Sequence, residues 1–262
     1  MDPIQEHPIR RFEAGRATAV ADKVIAETRI ELDVDDGRYR LAFLCLPRDL
    51  EALAVGFLLG EGALRRREDL AAVEALPDQG RVLVRGDFDA DVLEAISRRW
   101  TWATGCGGGG TGRDLAASGY APVGAGPVVA PARLAELARE FQDKAELWRQ
   151  TGGVHAVALA SPGRIVLFAE DVGRHNAFDK VMGRAFLDGI EVTDKLVLTT
   201  GRLSAEIVSK ALACRLPMLA SRSAVTSLAI GLARRFGITL VGFLRGRRMN
   251  VYTGFERVGG GT

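Results

Sequence analysis

Val154-His155-Ala156-Val157-Ala158-Leu159-Ala160, then Ser161-Pro162-Gly163, then Ile165-Val166-Leu167-Phe168-Ala169: this stretch decides the fold. Two short apolar runs separated by a Ser-Pro-Gly turn read as two strands. The alternation continues downstream. Arg174 to Leu187 reads as a helix, Leu196 to Thr199 as a strand, Ser204 to Arg215 as a helix and Met218 to Ala220 as a strand. Ala224 to Phe236 is the next helix and Ile238 to Leu244 the next strand. Strands alternating with helices predict an α/β domain with a mixed, largely parallel sheet and helices packed on it.

Upstream the pattern is different. Thr28 to Val34 and Tyr39 to Leu46 are strands joined by the hairpin signal Asp35-Asp36-Gly37. Pro47-Arg48-Asp49 opens a helix whose Leu50, Leu53, Ala54, Phe57 and Leu58 share one face. Val82 to Arg85 is a short strand and Asp89 to Arg99 a helix. A glycine tract, Thr104-Gly105-Cys106-Gly107-Gly108-Gly109-Gly110-Thr111-Gly112, and a Gly/Pro-rich loop over 121–131 then interrupt the pattern. Pro131 suits the first turn of a helix lined by Leu134, Leu137, Ala138, Phe141, Ala145 and Trp148. The chain therefore divides into an N-terminal arm over 1–27, an α+β region over 28–120 ending in the Cys106 loop, and an α/β domain over 121–262.

The 262 residues are 47% apolar and 26% charged, with a formal net charge of +2. A globular fold follows, and nothing global points to nucleic acid. The cysteines, at 45, 106 and 214, are odd in number and form no CxxC pair, as expected of a reduced, cytoplasmic protein without a disulfide framework. The N-terminus is polar, and the apolar stretch over 224–244 is interrupted by Arg234 and Arg235, so neither a signal peptide nor a membrane span is expected.

Ligands of α/β sheets bind beyond the carboxyl ends of the strands. Four polar segments occupy such positions: 170–176, 200–204, 221–223 and 245–248. Their convergence predicts one site. In it, Asp171 could cap the next helix, or His175 could carry a proton near neutral pH. Thr200-Gly201-Arg202 precedes a helix for which Ser204 is the expected N-cap, and Ser221-Arg222 repeats the arrangement. Both read either as ordinary capping or as anion sites at helix N-termini. Glu206 and Lys210 are spaced as a supporting i, i+4 pair. His155 reads first as a satisfied, partly buried histidine. Arg245, Arg247 and Arg248 could be a solvated turn, yet arginine matches phosphate bidentately, which favours a diphosphate or nucleotide.

Cys106 stands among glycines, which give access and backbone N–H groups able to stabilise an anion. Cysteine chemistry needs an accessible thiolate, although a spacer loop with an incidental cysteine would look the same. Cys45 and Cys214 lie at core positions of a strand and a helix and read as small hydrophobes. The glycine tract lacks the Gly-Lys-Ser/Thr ending of a P-loop and has no strong strand before it. Zinc-dependent deamination would need His-x-Glu and Pro-Cys-x-x-Cys; position 157 is Val and no cysteine pair exists, so no metal site is expected.

Taken in order, Thr104-Gly105-Cys106-Gly107, Gly152-Gly153-Val154-His155-Ala156, the block Glu170 to Lys180, Thr200-Gly201-Arg202-Leu203-Ser204 and the Phe243 to Tyr252 segment resemble the FdhD family of formate dehydrogenase accessory sulfurtransferases. The resemblance spans about 28 to 255. It implies a cytidine-deaminase-like α/β domain and a homodimer. It also implies a sulfur carrier that accepts persulfide sulfur from a cysteine desulfurase and passes it to the bis(molybdopterin guanine dinucleotide) molybdenum cofactor, before that cofactor enters formate dehydrogenase. The persulfide residue would be Cys106, and the cofactor would lie against Phe243, Leu244, Arg245, Gly246, Arg247 and Arg248. Many members have a second cysteine three residues after the first; here that residue is Gly109. A single thiol suffices to carry sulfur, but any step that uses a second one loses its reagent. Two rivals stand beside this reading: a chaperone that binds and inserts the cofactor without transferring sulfur, and a degenerate nucleotide-processing enzyme.

Overall fold

The computed structural model describes residues 2–99 and 120–259. Its first element is a ribbon: Ile4–Glu13 (β1) and Arg16–Ile25 (β2) pair antiparallel along their whole lengths. Most of its side chains face solvent, so no buried alternation marks these strands in the sequence, and the arm expected over 1–27 is a hairpin.

Thr28–Val34 (β3) and Tyr39–Cys45 (β4) form the predicted hairpin, with Asp35, Asp36 and Gly37 all at positive φ. Leu50–Gly60 (α1) follows, then Leu70–Leu76 (β5), Arg81–Gly86 (β6) and Ala90–Arg99 (α2). The sheet order is β4-β3-β6-β5, with β3 and β6 parallel. The sequence reading missed β5, an alanine-rich edge strand with little β-propensity.

The helix expected from Pro131 through Trp148 is two helices, Pro131–Lys144 (α3) and Glu146–Thr151 (α4). The break falls at Ala145, whose ψ of 73° leaves the helical region. Trp148 consequently departs from the buried stripe and is 43% exposed. Next come His155–Ser161 (β7), Arg164–Asp171 (β8), Arg174–Leu187 (α5), Leu196–Thr199 (β9), Ala205–Ala213 (α6) and Met218–Ser221 (β10). Ser227–Phe236 (α7), Thr239–Arg245 (β11) and Arg248–Thr253 (β12) complete the second sheet, ordered β12-β11-β10-β9-β7-β8.

That sheet is not largely parallel. β9, β10 and β11 run parallel, while the β7–β8, β7–β9 and β11–β12 pairings are antiparallel. The turns after Ser161 and Arg245 are too short to carry the chain back across a sheet, so both make hairpins. The sheet is covered on both faces. Val157, Leu159, Val197, Leu219 and Leu240 pack against α5, α6 and α7. Ala156, Ala158, Leu198, Ala220 and Val241 pack against α3. Burial on both faces explains why β7 reads as an unbroken apolar run.

α1 joins the two sheets. Instead of presenting one apolar face, it buries every residue except Glu51, because it lies between its own sheet and α5. Gly56 and Gly183 permit the close approach: a Cβ at Gly56 would collide with the Asp179 carbonyl, and one at Gly183 with that of Ala52. Buried charges sit in the same seam. Lys180 Nζ lies 2.7 Å from Asp171 Oδ2 and donates to the Leu46 carbonyl. Lys210 Nζ lies 3.0 Å from Asp179 and 3.2 Å from Glu61. The expected Glu206–Lys210 pair therefore does not form: Lys210 turns inward to two buried carboxylates. Burial still pushes Asp179 up to about 7, against the pull of Lys210. No helix among the described residues is long and apolar enough to cross a membrane.

Candidate functional site

The strand directions bring the polar segments to one rim. β7 begins there at His155, β8 ends there at Asp171, and β9, β10 and β11 end there at Thr199, Ser221 and Arg245. The predicted convergence is thus realised, although it arises from a mixed sheet.

Hydrogen bonds set the middle of the rim. Thr200 Oγ1 accepts from the Ala156 amide at 3.0 Å and lies 3.2 Å from His155 Nδ1. Ser221 Oγ donates to the Gly201 carbonyl at 2.6 Å and accepts from the Ser223 amide. Ser221 is therefore fully committed to holding the β9 and β10 loops together. Asp171 is completely buried and accepts from Lys180, the Leu46 and Gly173 amides and Asn176 Nδ2. Three of these four donors tie the N-terminal region to the larger sheet: the Leu46 amide directly, and Lys180 and Asn176 Nδ2 by also donating to the Leu46 and Leu44 carbonyls.

Arg174, His175 and Ser204 gather at the N-termini of α5 and α6. Glu206 Oε2 lies 3.0 Å from His175 Nε2 and 3.6 Å from Arg174. Ser204 occupies the N-cap position of α6 but makes no capping bond, and its buried hydroxyl has no partner among the described residues. Burial holds His175 below the ordinary imidazole range, with Glu206 pulling the other way. His155 is lowered too, first by burial and then by Arg174 and His175. Contact with His175 keeps the Glu206 carboxyl low. Arg202 points to solvent.

Two hollows flank the rim. One, of about 650 Å³, lies between α3 and the β11–β12 turn and is lined by Glu136, Arg139, Gln142, Gly246 and Arg247. The other, of about 380 Å³, is lined by Trp148, Gly152, Gly153, His155, Thr200 and Arg222. A crevice between them shares Ala138 and Gln142 with the first and Arg222 with the second, and has Leu244 in its wall. Phe243 takes a positive φ of 51° and donates its amide to the Ser223 carbonyl. Arg245 stacks over the Phe243 ring and donates Nε to the Arg222 carbonyl, while Arg247 and Arg248 are exposed. The segment 243–248 thus joins Arg222 and the α3 face along one surface of positive charge.

Sequence reasoning missed Arg139 and Gln142, placed Trp148 on the buried face of a helix, and put Glu170 in the rim segment 170–176 without a role for it. Glu170 accepts from the Leu147 and Trp148 amides, at 3.1 and 2.9 Å, and so fixes the start of α4. The Gly152-Gly153 pair directly after α4 was the available signal that its helix ends at the rim. Cys106 lies outside the described residues. Burial pushes both other thiols, Cys45 and the partly exposed Cys214, up to about 12.

A family model described as the FdhD/NarQ family matches residues 25–259. The chain belongs to the FdhD/NarQ family. Among its relatives, the sulfur carrier protein FdhD of Listeria innocua serovar 6a is 36% identical over 262 residues, covering 98% of this chain and 100% of the relative. The sulfur carrier protein FdhD of Wolinella succinogenes is 39% identical over 238 residues, covering 90% and 82% respectively. A crystal structure described as a formate dehydrogenase accessory protein from Desulfotalea psychrophila superposes with a TM-score of 0.82 at 29% identity, over 98% of this chain and 100% of that one. Within this FdhD/NarQ chain, the matched span contains every rim residue described above and excludes all of the β1–β2 ribbon but Ile25.

Proposed function

We propose that this chain is a cytoplasmic sulfur carrier for formate dehydrogenase, taking persulfide sulfur from a cysteine desulfurase onto Cys106 and delivering it to the bis(molybdopterin guanine dinucleotide) molybdenum cofactor. The observation that carries the reading is the likeness, along nearly the whole chain, to relatives named sulfur carrier proteins. The thiols agree with it. Cys45 and Cys214 are held protonated by burial, which leaves Cys106 as the candidate nucleophile. The 121–262 unit is read as a cytidine-deaminase-like domain that lacks the His-x-Glu and Pro-Cys-x-x-Cys set of the zinc enzymes.

In the loading step the Cys106 thiolate attacks the outer sulfur of the donor's persulfide. A new sulfur–sulfur bond forms on Cys106, the donor's own bond breaks, and the donor cysteine leaves as a thiolate that takes up a proton. The molybdenum cofactor is the substrate of the second step. Arg245, Arg247 and Arg248, with Arg139 and Arg222, offer guanidinium groups for its phosphates, and Trp148 offers a flat face for a base. Thr200 and Ser221 keep the loops bearing Arg222 in place.

The test is to incubate the protein with a cysteine desulfurase and cysteine, then measure intact masses. Increments of one sulfur atom, lost on reduction and absent from Cys106→Ala, are expected. Equal increments on Cys106→Ala overturn the assignment. In cells lacking the endogenous factor, active formate dehydrogenase with Cys106→Ala would favour the rival cofactor-insertion chaperone.

A further inference from the structure

A third hollow, of about 190 Å³, opens on the four-stranded sheet and shares no residue with the two at the rim. Charge lines it: Asp33 on β3, Asp36 in the turn that follows, Arg40 on β4, and Arg81 and Arg85 on β6. The register explains the grouping. Asp33 stands opposite Arg40 on one side and Leu83 on the other, and Arg81 and Arg85 lie two residues before and after Leu83. Alternate residues of a strand share a face, so Asp33 and the three arginines project from one side of the sheet.

The pairing inside this hollow is incomplete. Arg85 is paired with Asp36 at the surface. Arg81 donates to Asp33 Oδ2 through Nη2 alone. Its buried Nε has no partner among the described residues, and neither has Asp33 Oδ1. The Asp33 side chain is only 4% exposed, and a carboxylate oxygen withdrawn that far from water normally has a donor. Of the three arginines, Arg40 alone has no ion pair among the described residues, and it is exposed and free to turn toward a ligand. Gly37 leaves space beside both groups. A Cβ there would stand 3.1 Å from Arg40 Nη2 and 3.5 Å from Asp33 Oδ1, and its φ of 88° favours glycine.

A ligand that completes the site must bring a donor to Asp33 Oδ1 and an acceptor to Arg40 and Arg81 Nε. An inorganic anion supplies only the acceptor and meets the Asp33 charge; a metal cation meets three arginines. We propose that the hollow binds the head of a small free α-amino acid, its ammonium on Asp33 and its carboxylate on Arg40 and Arg81. An ammonium carries three donors and no acceptor, and a guanidinium takes a carboxylate through parallel bonds. The α-amino acid holds both charges on one carbon, whereas a peptide separates them along its chain. About 190 Å³ is the share of roughly six water molecules in the liquid, which limits the ligand to a small side chain. The inference is independent of sulfur transfer and of the rim.

Calorimetric titration of the full chain at pH 7 tests it, with L-alanine as the probe and acetate and methylammonium as the separated halves of its head. L-Alanine is expected to bind at one site, at least about tenfold more tightly than either half, and L-phenylalanine more weakly than L-alanine. Arg40→Gln is expected to weaken L-alanine about tenfold, the order of one hydrogen bond to a charged group, and Asp33→Asn to do so at least as strongly. Because Asp33→Asn also breaks the pair with Arg81, the variant at the exposed Arg40 keeps the test independent of folding. L-Alanine bound no better than acetate, or bound equally by Arg40→Gln, or matched by L-phenylalanine, overturns the proposal. So does a wild type that binds no L-alanine, the result expected if Arg81 and Asp33 close side-on upon each other.

Discussion

Arg222 carries its guanidinium 5.7 Å from the centre of the Trp148 ring. The two residues belong to the turn directly after β10 and to α4, and both line the same hollow of about 380 Å³. Two flat groups there form a platform suited to a nucleobase, beside arginines suited to its phosphates.

Trp148→Ala should weaken binding of a guanosine diphosphate probe about tenfold, as expected from the loss of one stacking partner, typically about 1–3 kcal/mol. Its unfolding midpoint should stay near wild type, because the ring is largely outside the core. Glu170→Ala should weaken binding in the same sense without touching the probe, since its carboxylate holds the Leu147 and Trp148 amides. Calorimetric titration measures both; unchanged affinity in the two variants rejects the platform.

Lys180→Met should destabilise the fold by about 3–5 kcal/mol, the usual cost of leaving a buried charge unpaired. Asp171 is fully buried and would keep its amide donors but lose its cation. Lys195→Met, at the Asp194 pair whose carboxylate is exposed, should change stability by less than about 1 kcal/mol. Urea unfolding of the two variants provides the comparison. Equal midpoints would show that the buried pair has no special weight.

Native protein at pH 8 should react with a thiol-alkylating reagent at Cys106 alone. Cys45 and Cys214, pushed up to about 12 by burial, remain thiols at that pH. Denaturant should release both, giving three labelled sites by peptide mapping. Labelling of Cys214 at the rate of Cys106 in the native state contradicts this.

His155 and His175 should titrate below 6.5, because burial disfavours their charged forms. The unfolded chain then binds these protons first. Stability is unaffected by these two residues above 6.5 and declines as pH falls from 6.5 toward their folded midpoints. Glu206, held low by His175, adds its own loss only as pH falls below 4.5. Glu206→Gln should lower the His175 midpoint further, since the carboxylate opposes burial there. Proton NMR of the imidazole C–H resonances reads each midpoint, and a rise in the variant would reverse the assignment.

Much of this molecule was legible in its residues. The Asp35-Asp36-Gly37 turn, the apolar runs of β7 and β8 and the polar segments after each strand depend on backbone preference and local periodicity, which a linear chain states directly. The family was legible as well, since the Glu170 to Lys180 block is contiguous. Other features depended on what lies opposite. The inward turn of Lys210 required Glu61 and Asp179, which lie far from it in the chain. The complete burial of α1 required α5 on its second side, a contact that Gly56 and Gly183 allow and that no periodicity announces. Sheet direction at β7 and β9 and the arrival of Trp148 beside Arg222 were likewise settled by packing. The sequence by itself determined which residue types could do chemistry at the rim and where β3, β4 and β6 to β11 begin. Only the tertiary structure decided which charges were withdrawn into the seam and which were left facing the rim, because burial is a property of the space around a residue and not of its neighbours in the chain.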